Sequence, residues 1–120
     1  MFKRTLLMRI RVHGCSGGIG AGARTSEILV YNDVFIDSGT GIGDLDLEDI
    51  DTIRHVFLTH SHLDHVAGLP LLVDRLFEED AATPLTVYAR KETLAAVQAN
   101  LFNGVIWPDF GKIPSEENPM

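Results

Sequence analysis

Three of the five histidines fall within six residues, in the order His60-Ser61-His62-Leu63-Asp64-His65, immediately after the apolar run Val56 to Leu58. A short continuous apolar run reads as a strand buried on both faces, so the cluster is held where a sheet ends and the backbone must turn. Chance would place His-x-His-x-Asp-His in roughly one shuffled sequence in a thousand. Leaving a strand, residues two apart point to the same side, so the imidazoles of His60 and His62 can converge on one metal at the ~2.0 to 2.1 Å distances that zinc prefers. If the backbone then enters a helix, Asp64 and His65 are aimed at a second ion. Two such ions, roughly 3.5 to 4 Å apart, share a bridging water and lower its pKa, which permits hydrolysis without a side-chain nucleophile. Asp64 then has two roles, as a metal ligand and as the catalytic carboxylate that accepts a hydrogen bond from the nucleophile. Ser61 and Leu63 point away from the ions, with Leu63 serving the core. A metal-free polar turn would crowd three imidazoles and a carboxylate together for no packing purpose.

Around this cluster the chain alternates strands and helices. Met8, Ile10 and Val12 recur at every second position in Met8 to His13, the period of a half-buried strand. Five of the nine residues from Gly14 to Gly22 are glycine, which excludes regular structure and predicts a loop. Ile28 to Tyr31 and Val34 to Asp37 flank Asn32-Asp33, residues suited to a two-residue hairpin turn. Leu47, Ile50 and Ile53 fit a short amphipathic helix, and Leu69, Leu72, Val73, Leu76 and Phe77 form the apolar stripe of a longer one packed on a sheet. Thr83-Pro84 ends that pattern. Leu85 to Ala89 reads as a strand and Lys91 to Leu101 as a helix. Residues 103–120 read as an irregular extended tail with Trp107 as its large anchor. The order predicts one mixed α/β domain over residues 1–120, with helices covering a sheet.

Ten basic against seventeen acidic residues give a net charge of −7, the wrong sign for broad contact with nucleic acid or anionic lipid. No apolar run approaches the ~18 residues needed to span a bilayer, and the uncharged stretch Thr5 to Met8 is too short for a secretory signal. The lone Cys15 excludes an intrachain disulfide. A cytoplasmic chain is the expectation.

Other polar residues carry weaker signals. His13 and His55 read as packed or surface residues. Asp37, at the end of its strand, either fixes a ligand histidine or caps the turn after it. Gly14-Cys15-Ser16-Gly17-Gly18 lacks the Lys-Ser/Thr of a P-loop and reads as a tight loop beside the cluster. Cys15 reads as a buried, inert thiol. Arg24 reads as a solvated loop residue, with contact to a substrate phosphate as the alternative.

His60 to His65 resembles the metal-binding signature of the metallo-β-lactamase superfamily. With Val66-Ala67-Gly68-Leu69-Pro70 it resembles that of bacterial class II 3',5'-cyclic-nucleotide phosphodiesterases, and ribonuclease Z-like hydrolases share the glycine-rich opening and the cluster. Val12 to Gly18, Arg24-Thr25-Ser26, Phe35 to Gly41 and Phe102 to Pro108 carry the same likeness. The resemblance implies an αββα sandwich with the metal site at one edge, of which this chain is the N-terminal half. It implies His60 and His62 on a first metal, Asp64 and His65 on a second, and two divalent ions, zinc first, with manganese or iron as alternatives. The activity implied is a metal-dependent phosphodiesterase opening 3',5'-cyclic nucleotides through a metal-bridging hydroxide. The alternatives are hydrolysis of RNA, a thioester or a lactam, or a catalytically incomplete metal-binding module.

Such proteins draw a third histidine, a bridging aspartate and a further histidine from the second half of the fold. No histidine follows His65, and Asp109 is the only aspartate after Asp80. The expectation is therefore a missing C-terminal half, or a homo-oligomer that completes the site. A small-molecule phosphodiester is the expected partner, without membrane or nucleic acid. An isolated half would leave one sheet face uncovered.

Overall fold

The computed structural model describes residues 7–79 and 84–112. Five strands form one sheet in sequence order: β1 (Ile10–Gly14), β2 (Glu27–Val30), β3 (Val34–Ile36), β4 (His55–Phe57) and β5 (Thr86–Tyr88). The β1-β2 and β2-β3 pairs are antiparallel, whereas β3-β4 and β4-β5 are parallel. Parallel neighbours require crossovers. A 3-10 turn (Thr40–Asp44) and α1 (Leu47–Ile50) join β3 to β4, and α2 (Leu63–Val66) with α3 (Leu69–Glu79) join β4 to β5. The helix α4 (Lys91–Asn100) follows.

The core lies on one face of this sheet. Leu29, Phe35, Val56 and Val87 stand in register across β2 to β5, and the first three are fully buried. Against them pack Ile50 and Ile53 from the α1 region, Leu69, Leu72, Val73 and Leu76 from α3, and Val97 from α4. The α3 stripe is the one expected from the 3.6-residue period, and burying each such side chain contributes about 1.5–3 kcal/mol relative to exposure. On α4 the stripe is interrupted, because Val97 is buried while Leu94 is exposed.

The opposite face is apolar and, among the described residues, uncovered. Val12, Ile28, Ile36, Phe57 and Tyr88 stand in one register row across all five strands. Val12 is 59% exposed and Phe57 44%. Two expectations are corrected by this. The alternating residues Met8, Ile10 and Val12 are exposed, since none of the described residues packs over the face they share. Likewise β4 is buried on its Val56 side only. The rings of Phe57 and Tyr88 stack on each other at 4.4 Å.

The hairpin also differs from expectation. Its connection is Tyr31-Asn32-Asp33, and Tyr31, rather than the asparagine or aspartate, takes the left-handed conformation with φ 55. After α4 the chain folds back. Phe110 is buried, with its ring 5.4 Å from Phe77 and 6.4 Å from Phe102, so the start of the expected tail has two anchors, Trp107 and Phe110. Residues 113–120 of that tail, Thr83 and the start of the Thr5 to Met8 stretch lie outside the described residues.

Candidate metal centre

The end of β4 delivers its polar cluster onto the end of β3. Leu58 continues the sheet by donating its N–H to the carbonyl of Tyr88 at 2.9 Å. The next N–H, of Thr59, turns instead to the side chain of Asp37 at 2.8 Å. His62 is extended, with ψ 145, and α2 begins directly after it, so the backbone bends between the two halves of the cluster. The bend gathers the side chains. The rings of His60 and His62 lie 4.7 Å apart edge to face, and those of His60 and His65 lie 4.1 Å apart. One ligand atom each from His60, His62 and Asp64 falls within 4.8 Å of the others. Nε2 of His65 lies 3.3 Å from Oδ2 of Asp64, so the third imidazole meets both the Asp64 carboxylate and the His60 ring.

The donor set suits a divalent cation, since imidazole nitrogen and carboxylate oxygen are ligands for zinc, manganese and iron alike.

Asp37 resolves the two alternatives left open by the sequence. Its carboxylate accepts hydrogen bonds from His65 Nδ1 at 2.8 Å, from the Thr59 N–H at 2.8 Å and from the Thr59 hydroxyl at 2.9 Å to Oδ2. It therefore fixes a cluster histidine rather than capping its own turn. Asp37 is nearly buried and adopts φ 59, a left-handed conformation that aspartate tolerates better than most residues. The backbone repeats the connection, because Ser38 N donates to His65 O at 2.8 Å.

Glycines let these segments approach. A Cβ on Gly39 would lie 2.4 Å from Thr25 Oγ1 and 2.7 Å from the carbonyl oxygen of Asp64. Thr25 and Thr40 clasp each other beside it, with Thr25 N donating to Thr40 Oγ1 at 2.9 Å and Thr40 N to Thr25 Oγ1 at 2.8 Å. The clasp holds the glycine-rich loop against the cluster, forming a cleft of about 560 Å³ lined by Gly17, Gly18, Ile19, His62, Leu63 and Asp64 among others.

Several single residues depart from or refine the sequence reading. Leu63 is 66% exposed and lines the cleft instead of serving the core. Cys15 is exposed, since the loop around it lies at the surface. The part-exposed Arg24 guanidinium pairs with Asp44 at 3.0 Å and donates to the carbonyls of Gly20 and Ala23. His55 meets the Tyr88 hydroxyl at 3.1 Å. Burial, helped by Arg11, lowers the pKa of His13. The Asp109 carboxylate is taken up by Gln98, Gly111 and Lys112, and the Gln98 amide holds its pKa down. Thr59 was missed, although its place directly before the first histidine was a signal.

Comparison with known proteins follows the same lines. A profile of class-II cAMP phosphodiesterases matches residues 47–117. The 3',5'-cyclic-nucleotide phosphodiesterase 1 of Saccharomyces cerevisiae is 33% identical over 57 residues, covering 48% of this chain and 15% of that protein. Ribonuclease Z of Staphylococcus saprophyticus is 30% identical over 105 residues, covering 78% of this chain and 34% of that protein. The crystal structure of unliganded yeast PDE1 superposes with a TM-score of 0.75 at 15% identity, over 92% of this chain and 48% of that one. The metallo-beta-lactamase fold protein YhfI of Bacillus subtilis gives 0.63 at 23% identity, over 77% and 42%. The chain thus spans about half of these structures and 34% or less of these two curated relatives. The mixed sheet with its one-sided helical cover is part of a metallo-β-lactamase-type fold, and among the described residues no helix is long and apolar enough to cross a membrane. With the histidine cluster inside the matched segment, the chain belongs to the class-II cAMP phosphodiesterase family.

Proposed function

We propose that this chain carries the amino-terminal half of a metal-dependent hydrolase that opens 3',5'-cyclic nucleotides. The observation that carries the reading is the convergence of His60, His62 and Asp64 within 4.8 Å, with His65 against Asp64, on the wall of an open cleft. In this reading His60 and His62 hold one divalent cation and Asp64 and His65 hold a second, zinc by preference. Bound there, such ions supply Lewis acidity and a water acidic enough to attack at neutral pH. The chain's own residues do the positioning. Asp64 accepts a hydrogen bond from the attacking water and directs it at phosphorus; as the new P–O bond forms, the bond from phosphorus to one ring ester oxygen breaks, and the proton given up by the water ends on that departing oxygen as a hydroxyl. Asp37 keeps a proton on His65 Nδ1, so Nε2, beside Asp64, is the nitrogen that would face a cation.

The remaining ligands come from a second half of the fold, which also covers the Val12 to Tyr88 row of the sheet. Two facts support that division: no histidine follows His65, and the chain spans 48% of yeast PDE1. The test compares hydrolysis of 3',5'-cyclic AMP by this chain alone and by the protein carrying both halves, before and after chelation. The reading expects activity only with both halves and only with metal; activity that survives chelation contradicts it. Ribonuclease Z, matched over 105 residues, gives a second substrate class for the same assay, but a net charge of −7 weighs against RNA.

A further inference from the structure

We propose that Thr59 is a positioning residue that decides which nitrogen of His60 carries its proton; its value for metal binding rests on the reading above. The Thr59 hydroxyl lies 3.0 Å from Oδ1 and 2.9 Å from Oδ2 of Asp37, and 3.0 Å from Nδ1 of His60. A hydroxyl has one proton to give. An ionised carboxylate only accepts, and hydrogen bonds to a charged acceptor are the stronger kind, so the hydroxyl proton goes to Asp37. The contact with His60 then closes only if Nδ1–H donates to Thr59 Oγ1. His65 Nδ1–H donates to the same carboxylate at 2.8 Å.

One carboxylate therefore governs two imidazoles, His65 directly and His60 through a single hydroxyl. His60 is thereby left with Nε2 unprotonated and its lone pair available, while Nε2 of His65 faces the Asp64 carboxylate at 3.3 Å. Thr59 touches neither substrate nor cation in this scheme; it acts through His60. The Thr59 backbone N–H also binds Asp37, at 2.8 Å, so the residue stays in place when only its hydroxyl is removed.

The test is nitrogen NMR on the metal-free, isotopically labelled chain, at a pH above the last ring titration seen in its own histidine spectra, so that the rings are neutral. In the wild type, His60 and His65 should both show protonated Nδ1. Thr59→Val should move the His60 proton to Nε2 and leave His65 unchanged, while Thr59→Ser should restore the wild-type pattern. Zinc affinity should fall about ten- to a hundredfold in Thr59→Val and recover in Thr59→Ser. His60 carrying its proton on Nε2 in the wild type overturns the proposal, a result that needs no variant to fold. So does an unchanged tautomer in a folded Thr59→Val. If the tautomers follow this pattern while the wild type binds no zinc, the metal reading fails and Thr59 keeps its assigned action on His60.

Discussion

The Nδ1 atom of His65 lies 2.8 Å from Oδ2 of Asp37, a residue 28 positions earlier in the chain. This contact ties the end of β3 to α2, which carries half of the cluster, and it uses an aspartate held at φ 59. Asp37→Asn keeps a side chain suited to that backbone but weakens the acceptor, so zinc affinity should fall about ten- to a hundredfold with little loss of fold. Asp37→Ala loses the acceptor and meets the backbone strain as well, costing about 1–3 kcal/mol of stability. Thermal unfolding and zinc titration separate the two, and equal effects from both variants would contradict this account.

Glu27 is fully buried, and among the described residues neither carboxylate oxygen has a partner in good hydrogen-bond geometry, the Ile42 backbone being the nearest to supply one. Burial pushes its pKa from 4.5 up to about 8; the Ile42 backbone offsets part of that, and Asp44 adds to it. Between these values the folded chain holds a proton that the unfolded chain has released. Stability from the neutral form is thus complete below 4.5 and is lost as the pH rises through about 8. The Tm should fall as the pH rises from about 4.5 to about 8 and level off above that, and Glu27→Gln should flatten that slope. A slope unchanged in the variant would place the dependence elsewhere.

Gly39 sits where Thr25, Ser26 and the Asp64 carbonyl crowd the space a side chain would need. Gly39→Ala should cost about 1–3 kcal/mol and displace Asp64, so metal affinity should drop along with Tm. By contrast Gly18→Ala, where a Cβ meets nothing within 4 Å, should change neither by a measurable amount.

The uncovered face of the sheet should report itself in solution. Val12 and Phe57 are exposed apolar residues of one row, so the isolated chain should bind a hydrophobic dye or self-associate. Val12→Lys should suppress this while changing stability by no more than about 0.5 kcal/mol, and Phe57→Lys should do so at the further cost of its stacking on Tyr88, about 0.5–1.5 kcal/mol. A large loss of stability would mean that these side chains are already packed.

The α3 stripe was legible because a 3.6-residue period marks a buried helical face without reference to its partner. The cluster was legible because its spacing, two apart and then three, matches a strand running into a helix. What the sequence left open depends on which layers are present. Leu63, Phe57 and Val12 are as apolar as core residues, and only the absence of a layer above them exposes them. The role of Asp37 was undecidable for a related reason: its distance to His65 is set by the parallel crossover between β3 and β4, which no local pattern encodes. The same crossover brings Thr59 to Asp37, so neither half of that contact could be read alone.

Anomalous diffraction at the zinc absorption edge, from crystals of the chain grown with zinc, tests the cation site most directly. The expected result is one peak within bonding distance of His60 and His62, lost in His60→Ala, and a second beside Asp64 and His65. Imidazoles turned outward with no peak between them would contradict it.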